Sequence, residues 1–172
     1  MSAIIRLARP EDIPALIDLA SETFIDSFGN YHTPENCQAF IAQSHNENIY
    51  RAAITNDDQY VLVAQGESGL VAYLYAKPPT LPLMPKFDKA HELSKIYTKR
   101  STQSAGIGAK LLKMWEGWAS AKGYNNLVLG VWSENISAQK FYIRHGYIKI
   151  SSYQLSVGQT QDTDFILSLI HI

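Results

Sequence analysis

The sequence is poor in metal-binding and disulfide-forming residues. Cys37 is the single cysteine among 172 residues, which excludes an internal disulfide and a cysteine-rich zinc site. Such a chain is typical of a reducing cytoplasm, and we expect that location. The five histidines do not cluster at the spacing of metal ligands, so we expect no metal site.

Long apolar runs and an excess of basic charge are absent as well. The apolar runs fall short of the roughly 20 residues that cross a bilayer. The N-terminal MSAIIRLARPEDI lacks the charged, apolar and small-residue segments of a signal peptide. The formal net charge is −1, and no basic block occurs. We therefore expect neither a membrane nor a nucleic acid as a partner.

What is present is the composition of an ordinary globular protein. Apolar residues make up 46% of the chain and charged residues 18%, which is typical of a soluble domain with a packed core. The length suits one domain and hardly two. We therefore expect a single domain over 1–172.

The pattern of apolar residues predicts a mixture of strands and helices. Strands are predicted at 3–8, 60–65, 70–76, 91–98, 127–132, near 147–155 and at 164–170. Helices are predicted after Pro10, from Pro34 to about Ile49 with Thr33 as cap, over 106–122, and over 135–144. Residues 77–91 hold four of the seven prolines and predict an irregular loop.

The string 103-QSAGIG-108 places two glycines at the start of a predicted helix. The first turn of a helix offers unpaired N–H groups and the positive end of its dipole, which suit a phosphate. Gly106 and Gly108 would let an anion approach because neither carries a Cβ. A plain tight turn is the alternative. A dinucleotide fingerprint would need glycine where Leu111 stands, and no phosphate-loop string occurs.

Two strings resemble the GNAT superfamily of N-acetyltransferases. The residues 103-QSAGIG-108 resemble its Q/R-x-x-G-x-G/A signature, and 135-NISAQKFYIRHGY-147 resembles N-x-x-A-x-x-F-Y-x-x-x-G-F, with Tyr147 in place of phenylalanine. The resemblance implies an α/β (mixed α+β) fold with a twisted, mixed but mostly antiparallel sheet of about seven strands and about four helices. It also implies acetyl-CoA as cosubstrate. The implied contacts are Ile96, Tyr97, Thr98, Gln103, Ser104, Ala105, Gly106, Ile107, Gly108, Ala109, Asn135, Ala138 and Tyr142.

Shorter strings are similar to the PaiA-type polyamine acetyltransferases within that superfamily. They are 21-SETFIDSF-28, 33-TPEN-36, 93-LSKIY-97, 129-LGVWSEN-135 and 162-DTDFILSL-169. This similarity implies a polyamine or another small amine as acceptor. The alternatives are a protein N-terminal or lysine acetyltransferase, and an acyl-CoA-binding module without chemistry. Homodimers are common in the superfamily.

Transfer of an acetyl group to an amine needs a base and an acid. An alkylammonium of pKa about 10.4 must lose its proton before it can attack. We expect direct attack in a ternary complex, with no covalent enzyme intermediate. By resemblance, Tyr142 is the acid for the departing thiolate; the alternative is a core aromatic beside Phe141. Glu92 is the candidate base, or else a solvated charge at a strand end.

Three further residues are candidates for contact with the acceptor. Glu22 and Asp26 lie four residues apart on one face of the first predicted helix and could bind a cation, although a solvated helix face is the commoner reading of such a pair. Trp132 ends a strand near the expected catalytic cleft. Trp115 and Trp118 lie on the apolar stripe of their helix and are predicted to be core residues.

Overall fold

The computed structural model describes residues 3–83, 87–103 and 105–170, with Ile170 lacking a described side chain. Seven strands are present: β1 Ile4–Leu7, β2 Tyr60–Gly66, β3 Gly69–Lys77, β4 Ala90–Thr98, β5 Asn126–Trp132, β6 Ile148–Val157 and β7 Thr160–Ile170. The five α-helices are α1 Ile13–Phe28, α2 Pro34–Ser44, α3 Glu47–Thr55, α4 Ile107–Ala121 and α5 Ile136–Arg144. Two short 3-10 turns, Pro10–Asp12 and Arg100–Thr102, precede α1 and the glycine loop.

The strands form one mixed sheet in the order β1-β2-β3-β4-β5-β7-β6. Neighbouring strands are antiparallel except for β4 and β5, which run parallel. The expected mostly antiparallel sheet of about seven strands is therefore confirmed. No helix in the described ranges is long and apolar enough to cross a bilayer.

The parallel pair β4 and β5 stays together over only half of its length. The pairing runs from Ala90 opposite Asn126 to Leu93 opposite Leu129, while β4 continues beside β3 as far as Thr98. A bulge in β4 opposite the step from Tyr75 to Ala76 adds twist where the two strands part. The sheet consequently opens into a wedge between β4 and β5.

Helices cover both faces of the sheet. On one face α4 buries Leu111, Leu112 and Trp115 against β2–β5, as its helical apolar stripe predicts. On the other face α1 and α3 contribute Leu16 and Tyr50 to a second core cluster. A third cluster joins α1, α2 and the end of β6. On this second face, α1 and α2 therefore cover the wedge; we call this cover the roof of the wedge.

The single helix predicted from Pro34 to about Ile49 is wrong, because the chain breaks there into α2 and α3. His45 ends α2 with a non-helical backbone. Asn46 then starts α3, since its side chain accepts a hydrogen bond from the N–H of Ile49 at 3.1 Å. An asparagine that accepts from the third residue on is a strong helix N-cap, and this break accounts for a fifth α-helix. The expected cap at Thr33 is confirmed.

The buried end of β4 is fixed by a histidine in one tautomer. The indole N–H of Trp115 donates to His91 Nδ1 at 3.0 Å. His91 Nε2 lies 2.9 Å from the carbonyl oxygen of Asp58, which can only accept, so Nε2 carries the proton. Burial lowers the pKa of His91. The imidazole is therefore neutral, and it ties β4 to α4 and to the loop before β2.

Candidate active site

A cavity of about 450 Å³ occupies the wedge between β4 and β5. This volume suits a small molecule. The roof is made by α1, α2 and the residues after them, and the far wall by β6 and β7. The structure brings together seven of the predicted site residues along this cavity: Glu92, Ile96, Tyr97, Trp132, Asn135, Ala138 and Tyr142.

The glycine loop and the first turn of α4 are free of blocking side chains. Gly106 occupies the N-cap position with φ of 74°, a left-handed conformation that favours glycine. A Cβ on Gly106 would meet no atom within 4 Å, so the space over the helix terminus is open. Ala105 precedes this cap and Ile107 begins the helix. The loop therefore fits the pyrophosphate of acetyl-CoA, whose charge the free N–H groups would hold.

The rest of the loop is tied back to β4. The side-chain amide of Gln103 donates to the carbonyl oxygen of Thr98 at 3.3 Å. A Cβ on Gly108 would lie 3.8 Å from the ring of Phe141, so this glycine packs close to α5. Ala109 follows in the first turn of α4. Ser104 lies outside the described residues, and its predicted contact with the cosubstrate stays a prediction.

Asn135 and Tyr142 stand at the start and near the end of α5. The Asn135 side chain accepts a hydrogen bond from the N–H of Ala138 at 3.1 Å, so Asn135 is the N-cap of α5. Tyr142 is 7% exposed and lines the cavity. Burial raises the pKa of Tyr142, and the nearby Tyr97 adds to the shift. The hydroxyl therefore keeps its proton and can act as a donor.

Glu92 lies in the cavity wall with one carboxylate oxygen fully engaged. Its Oε2 accepts from the Thr80 N–H at 2.6 Å, from the Leu81 N–H at 3.3 Å and from the Thr80 hydroxyl at 3.3 Å. The side chain is 6% exposed. The solvated strand-end charge, which was the alternative for Glu92, does not describe this buried position. The carboxylate also holds the start of the proline-rich loop against the cavity.

Two carboxylates of β7, Asp162 and Asp164, also line the cavity. The sequence alone did not single out either of them. Asp164 is 6% exposed, and its Oδ2 accepts a hydrogen bond from the Tyr153 hydroxyl at 3.3 Å. Burial raises the pKa of Asp164 to about 6, the Tyr153 bond opposes this, and Asp162 adds to it. Asp162 Oδ2 in turn lies 3.0 Å from His32 Nε2. The string 162-DTDFILSL-169 contained both residues, but nothing in it showed which way they face.

Aromatic rings form the wall beside Asp164. Trp132 pairs with Asp164 across β5 and β7. Its ring lies 5.7 Å from that of Phe28 and 4.7 Å from that of Tyr31. Trp132, Phe28 and His32 line the cavity. Aromatic faces attract cations as well as alkyl chains.

Two lysines also line the cavity, Lys77 on β3 and Lys95 on β4. The Lys95 ammonium lies 5.0 Å from the centre of the Tyr75 ring. Burial lowers the pKa of Lys95 to about 8, and repulsion from Lys77 adds to this while Glu92 opposes it. The two lysines therefore lie near β3 together with Glu92, and the two aspartates lie on β7.

Glu22 and Asp26 do not line the cavity. Glu22 forms an ion pair of 3.0 Å with Lys99, and Asp26 lies 4.0 Å from Arg100. Arg100 also donates to the Asp26 carbonyl oxygen at 2.6 Å. These surface pairs link α1 to the end of β4. The contact with the acceptor that was predicted for Glu22 and Asp26 stays a prediction.

Within the three described ranges, histidine, cysteine and acidic side chains form no group of three that could hold a metal ion.

Trp115 is a core residue as expected, and Trp118 is partly buried against the core cluster that contains Trp115.

Cys37 is buried between α1 and β6. Burial raises the pKa of its thiol, so Cys37 is a poor nucleophile at neutral pH.

Known proteins resemble this chain in sequence and in fold. Residues 30–160 match the acetyltransferase (GNAT) domain family. An uncharacterised N-acetyltransferase of Lactobacillus delbrueckii subsp. lactis is 27% identical over 157 residues, which cover 91% of each chain. The PaiA N-acetyltransferase of Thermoplasma acidophilum, solved with coenzyme A, superimposes with a TM-score of 0.82 at 23% identity, covering 99% of this chain and all of that one. The ribosomal-protein-alanine N-acetyltransferase of Brucella melitensis gives 0.69 at 22% identity, covering 98% and 99%.

Proposed function

Because this chain belongs to the GNAT acetyltransferase family and is an N-acetyltransferase that uses acetyl-CoA, we propose that its acceptor is a small cationic amine of the polyamine class. The observation that carries this proposal is the cavity itself. Its lining combines the buried carboxylate of Asp164 on β7 with the aromatic ring of Trp132 on β5. Carboxylates bind ammonium groups, and aromatic faces accept both ammonium groups and alkyl chains.

The cosubstrate would enter along the wedge. The first turn of α4 would hold the pyrophosphate, and the unpaired edge of β4 between Lys95 and Thr98 would hydrogen-bond the extended arm. Asn135 would contact the same arm from the start of α5. Bound acetyl-CoA supplies an activated acetyl thioester. A backbone N–H of the β4 edge is the donor that we assign to the carbonyl oxygen as it gains charge.

The reaction proceeds by direct attack in a ternary complex. The amine nitrogen forms a bond to the carbonyl carbon, the bond from that carbon to sulfur breaks, the amine proton passes to a base and the sulfur takes a proton. No covalent enzyme intermediate is required. The buried thiol of Cys37 is consistent with this route, since it is the chain's single cysteine and its pKa is raised.

Proton transfer is assigned to two residues of the cavity wall. Tyr142 is the proposed donor to the departing sulfur. Its raised pKa means that full transfer to a thiolate of pKa about 8.5 is uphill, so its help is hydrogen bonding or partial transfer. Glu92 is the proposed base. One of its oxygens already accepts three hydrogen bonds, so Glu92 would act through a water on its other oxygen.

An acceptor screen tests the proposal directly. Purified protein with acetyl-CoA is offered polyamines, diamines, monoamines, amino acids and a short peptide that begins with alanine, and free thiol and product mass are read. We expect the highest kcat/KM for a polyamine or diamine. A higher kcat/KM for the peptide would overturn the proposed acceptor. Initial-rate patterns of the ping-pong type would contradict direct attack.

A further inference from the structure

The carboxylates of the cavity differ in how much of their hydrogen-bonding capacity is already used. Glu92 Oε2 accepts three hydrogen bonds from Thr80 and Leu81. Asp162 Oδ2 lies 3.0 Å from His32 Nε2, an ion-pair distance, although the angles are not those of a hydrogen bond. Asp164 Oδ2 accepts from Tyr153, but its Oδ1 is buried and has no partner among the described residues. A buried carboxylate oxygen without a donor is strongly unfavourable, so Asp164 is the acid that still needs one.

The surroundings of Asp164 favour a cation as that donor. Trp132 and Tyr153 flank Asp164 on the neighbouring strands, as register partners across β5 and β6. Asp162, two residues away on β7, adds negative charge. An ammonium placed here would be held by charge-assisted hydrogen bonds beside the aromatic ring of Trp132. A neutral donor would leave the charge of Asp164 uncompensated.

A reacting amine has to lose its proton before it attacks. The ammonium that Asp164 binds is therefore best supplied by a second nitrogen of the acceptor, which does not react. We propose that Asp164 anchors the non-reacting ammonium of a diamine or polyamine, and that it thereby selects acceptors with two or more amines. This inference rests on the proposed function. It goes beyond that function by naming the residue that binds the second ammonium group of the acceptor. Monoamines would enter the same cavity without using Asp164.

The protonation of Asp164 gives the anchor a pH dependence. Burial raises its pKa to about 6, so the carboxylate is charged at neutral pH and loses its charge below about 6. The titratable groups that act on it are Tyr153 on β6, Asp162 on β7 and Tyr97 on β4. Glu92 acts on Tyr153, and His32 faces Asp162. Preference for a diamine over a monoamine should therefore shrink as the pH falls through about 6.

The test compares putrescine with n-butylamine, which has the same four carbons and one amine fewer. The wild type should favour putrescine in kcat/KM. Asp164→Asn should lower kcat/KM for putrescine by about 10- to 100-fold, mainly through KM, and should affect n-butylamine much less. Asp18→Asn removes a charge from the exposed face of α1 and serves as the control that leaves both values unchanged.

The outcomes separate the anchor from the proposed function. A wild type that acetylates neither amine and no other small amine refutes both. A wild type that acetylates both, with an unaltered putrescine preference in Asp164→Asn, refutes the anchor alone. An equal loss on both amines also refutes it, because Asp164 would then act on the reacting nitrogen. Should Asp164→Asn not fold, the wild-type preference measured between pH 5 and 8 decides, since a preference that does not change with pH contradicts the anchor.

Discussion

The cosubstrate side and the acceptor side of the cavity are built in different ways. The proposed cosubstrate side offers main-chain groups: the first turn of α4 beyond Gly106, the edge of β4 and the capped start of α5. The proposed acceptor side is lined by side chains of distant segments, among them Phe28, Trp132 and Asp164. A main-chain site depends on backbone shape, whereas a side-chain site depends on which residues the fold brings together.

This difference predicts that mutations on the two sides of the cavity have different effects on acetyl-CoA binding and on acceptor selectivity. Changes on the cosubstrate side should alter the binding of acetyl-CoA with every acceptor alike. Changes on the acceptor side should alter selectivity and leave acetyl-CoA binding unchanged. Tyr142 stands where the two sides meet, so it should affect neither binding step and only the chemical step.

The largest expected effect is therefore on turnover. Tyr142→Phe keeps the ring and removes the hydroxyl, so packing should hold while kcat falls about 100-fold. The dissociation constant for acetyl-CoA, measured by calorimetry, should not change. Tyr60→Phe is the matched control, because its ring stacks on Trp118 at 4.6 Å, away from the cavity. A Tyr142→Phe enzyme with wild-type kcat would remove the proposed acid.

The second-largest expected effect is a change in the free energy of unfolding when Asp164, on the acceptor side, is replaced. The pKa of Asp164 rises from 3.8 to about 6 on folding, so the folded state binds the proton more tightly. The contribution of this group to stability is therefore fully present below pH 3.8 and is lost as the pH rises through about 6. Asp164→Asn should raise the free energy of unfolding by about 2 kcal/mol at pH 7.5, with no gain at pH 3.5.

Urea denaturation at the two pH values measures this difference. The expected gain is somewhat below the full value of a two-unit shift, because the new amide N–H also needs an acceptor. An amide at this position can still accept from Tyr153, so the local structure should hold. Lower stability of Asp164→Asn at pH 7.5 would show that the charge of Asp164 is compensated in a way the cavity does not indicate.

A smaller effect is expected at the glycine loop. Gly108→Ala adds a Cβ in ordinary contact distance of Phe141 and Thr98, so the fold should survive. The methyl would narrow the space between α4 and α5 beside the proposed phosphate site. We expect acetyl-CoA to bind about tenfold more weakly, with acceptor selectivity unchanged. Gly117→Ala is the control within the same helix, where a Cβ meets no atom within 4 Å. It should leave affinity alone and add up to about 1 kcal/mol of stability. Equal affinities in the two variants would exclude the loop as phosphate site.

The smallest expected effect separates capping from binding. Asn135→Ala should lower stability by about 1 kcal/mol and also raise the KM for acetyl-CoA. Asn46→Ala removes a cap of the same kind, since both side chains accept an N–H hydrogen bond at 3.1 Å. It should lower stability by a similar amount and leave KM unchanged. If the two variants behave alike in KM, Asn135 has only a capping role.

The same difference explains what the sequence could and could not predict. Gly106 and Asn135 were recognisable because their functions are local, one requiring a bare backbone and the other a helix start. The places of Asp164 and Tyr153 in the cavity were not recognisable, because they depend on β6 pairing with β7 and on β7 pairing with β5. Glu22 and Asp26 share a helix face as expected, yet Lys99 and Arg100 engage them. The break at Asn46 was missed because helical periodicity continues across it.

The wedge between β4 and β5 has a consequence for the main-chain amides of β4. Glu92 and Leu93 are paired with both neighbouring strands, whereas Lys95 to Thr98 are paired with β3 alone. Without acetyl-CoA, amide protons that face the wedge in this second half should exchange quickly with deuterated solvent, whereas those facing β3 should exchange slowly. Bound acetyl-CoA would act as a short extra strand there. Its arrival should be visible as slowed exchange at alternate residues of 94–98, before any acceptor is present.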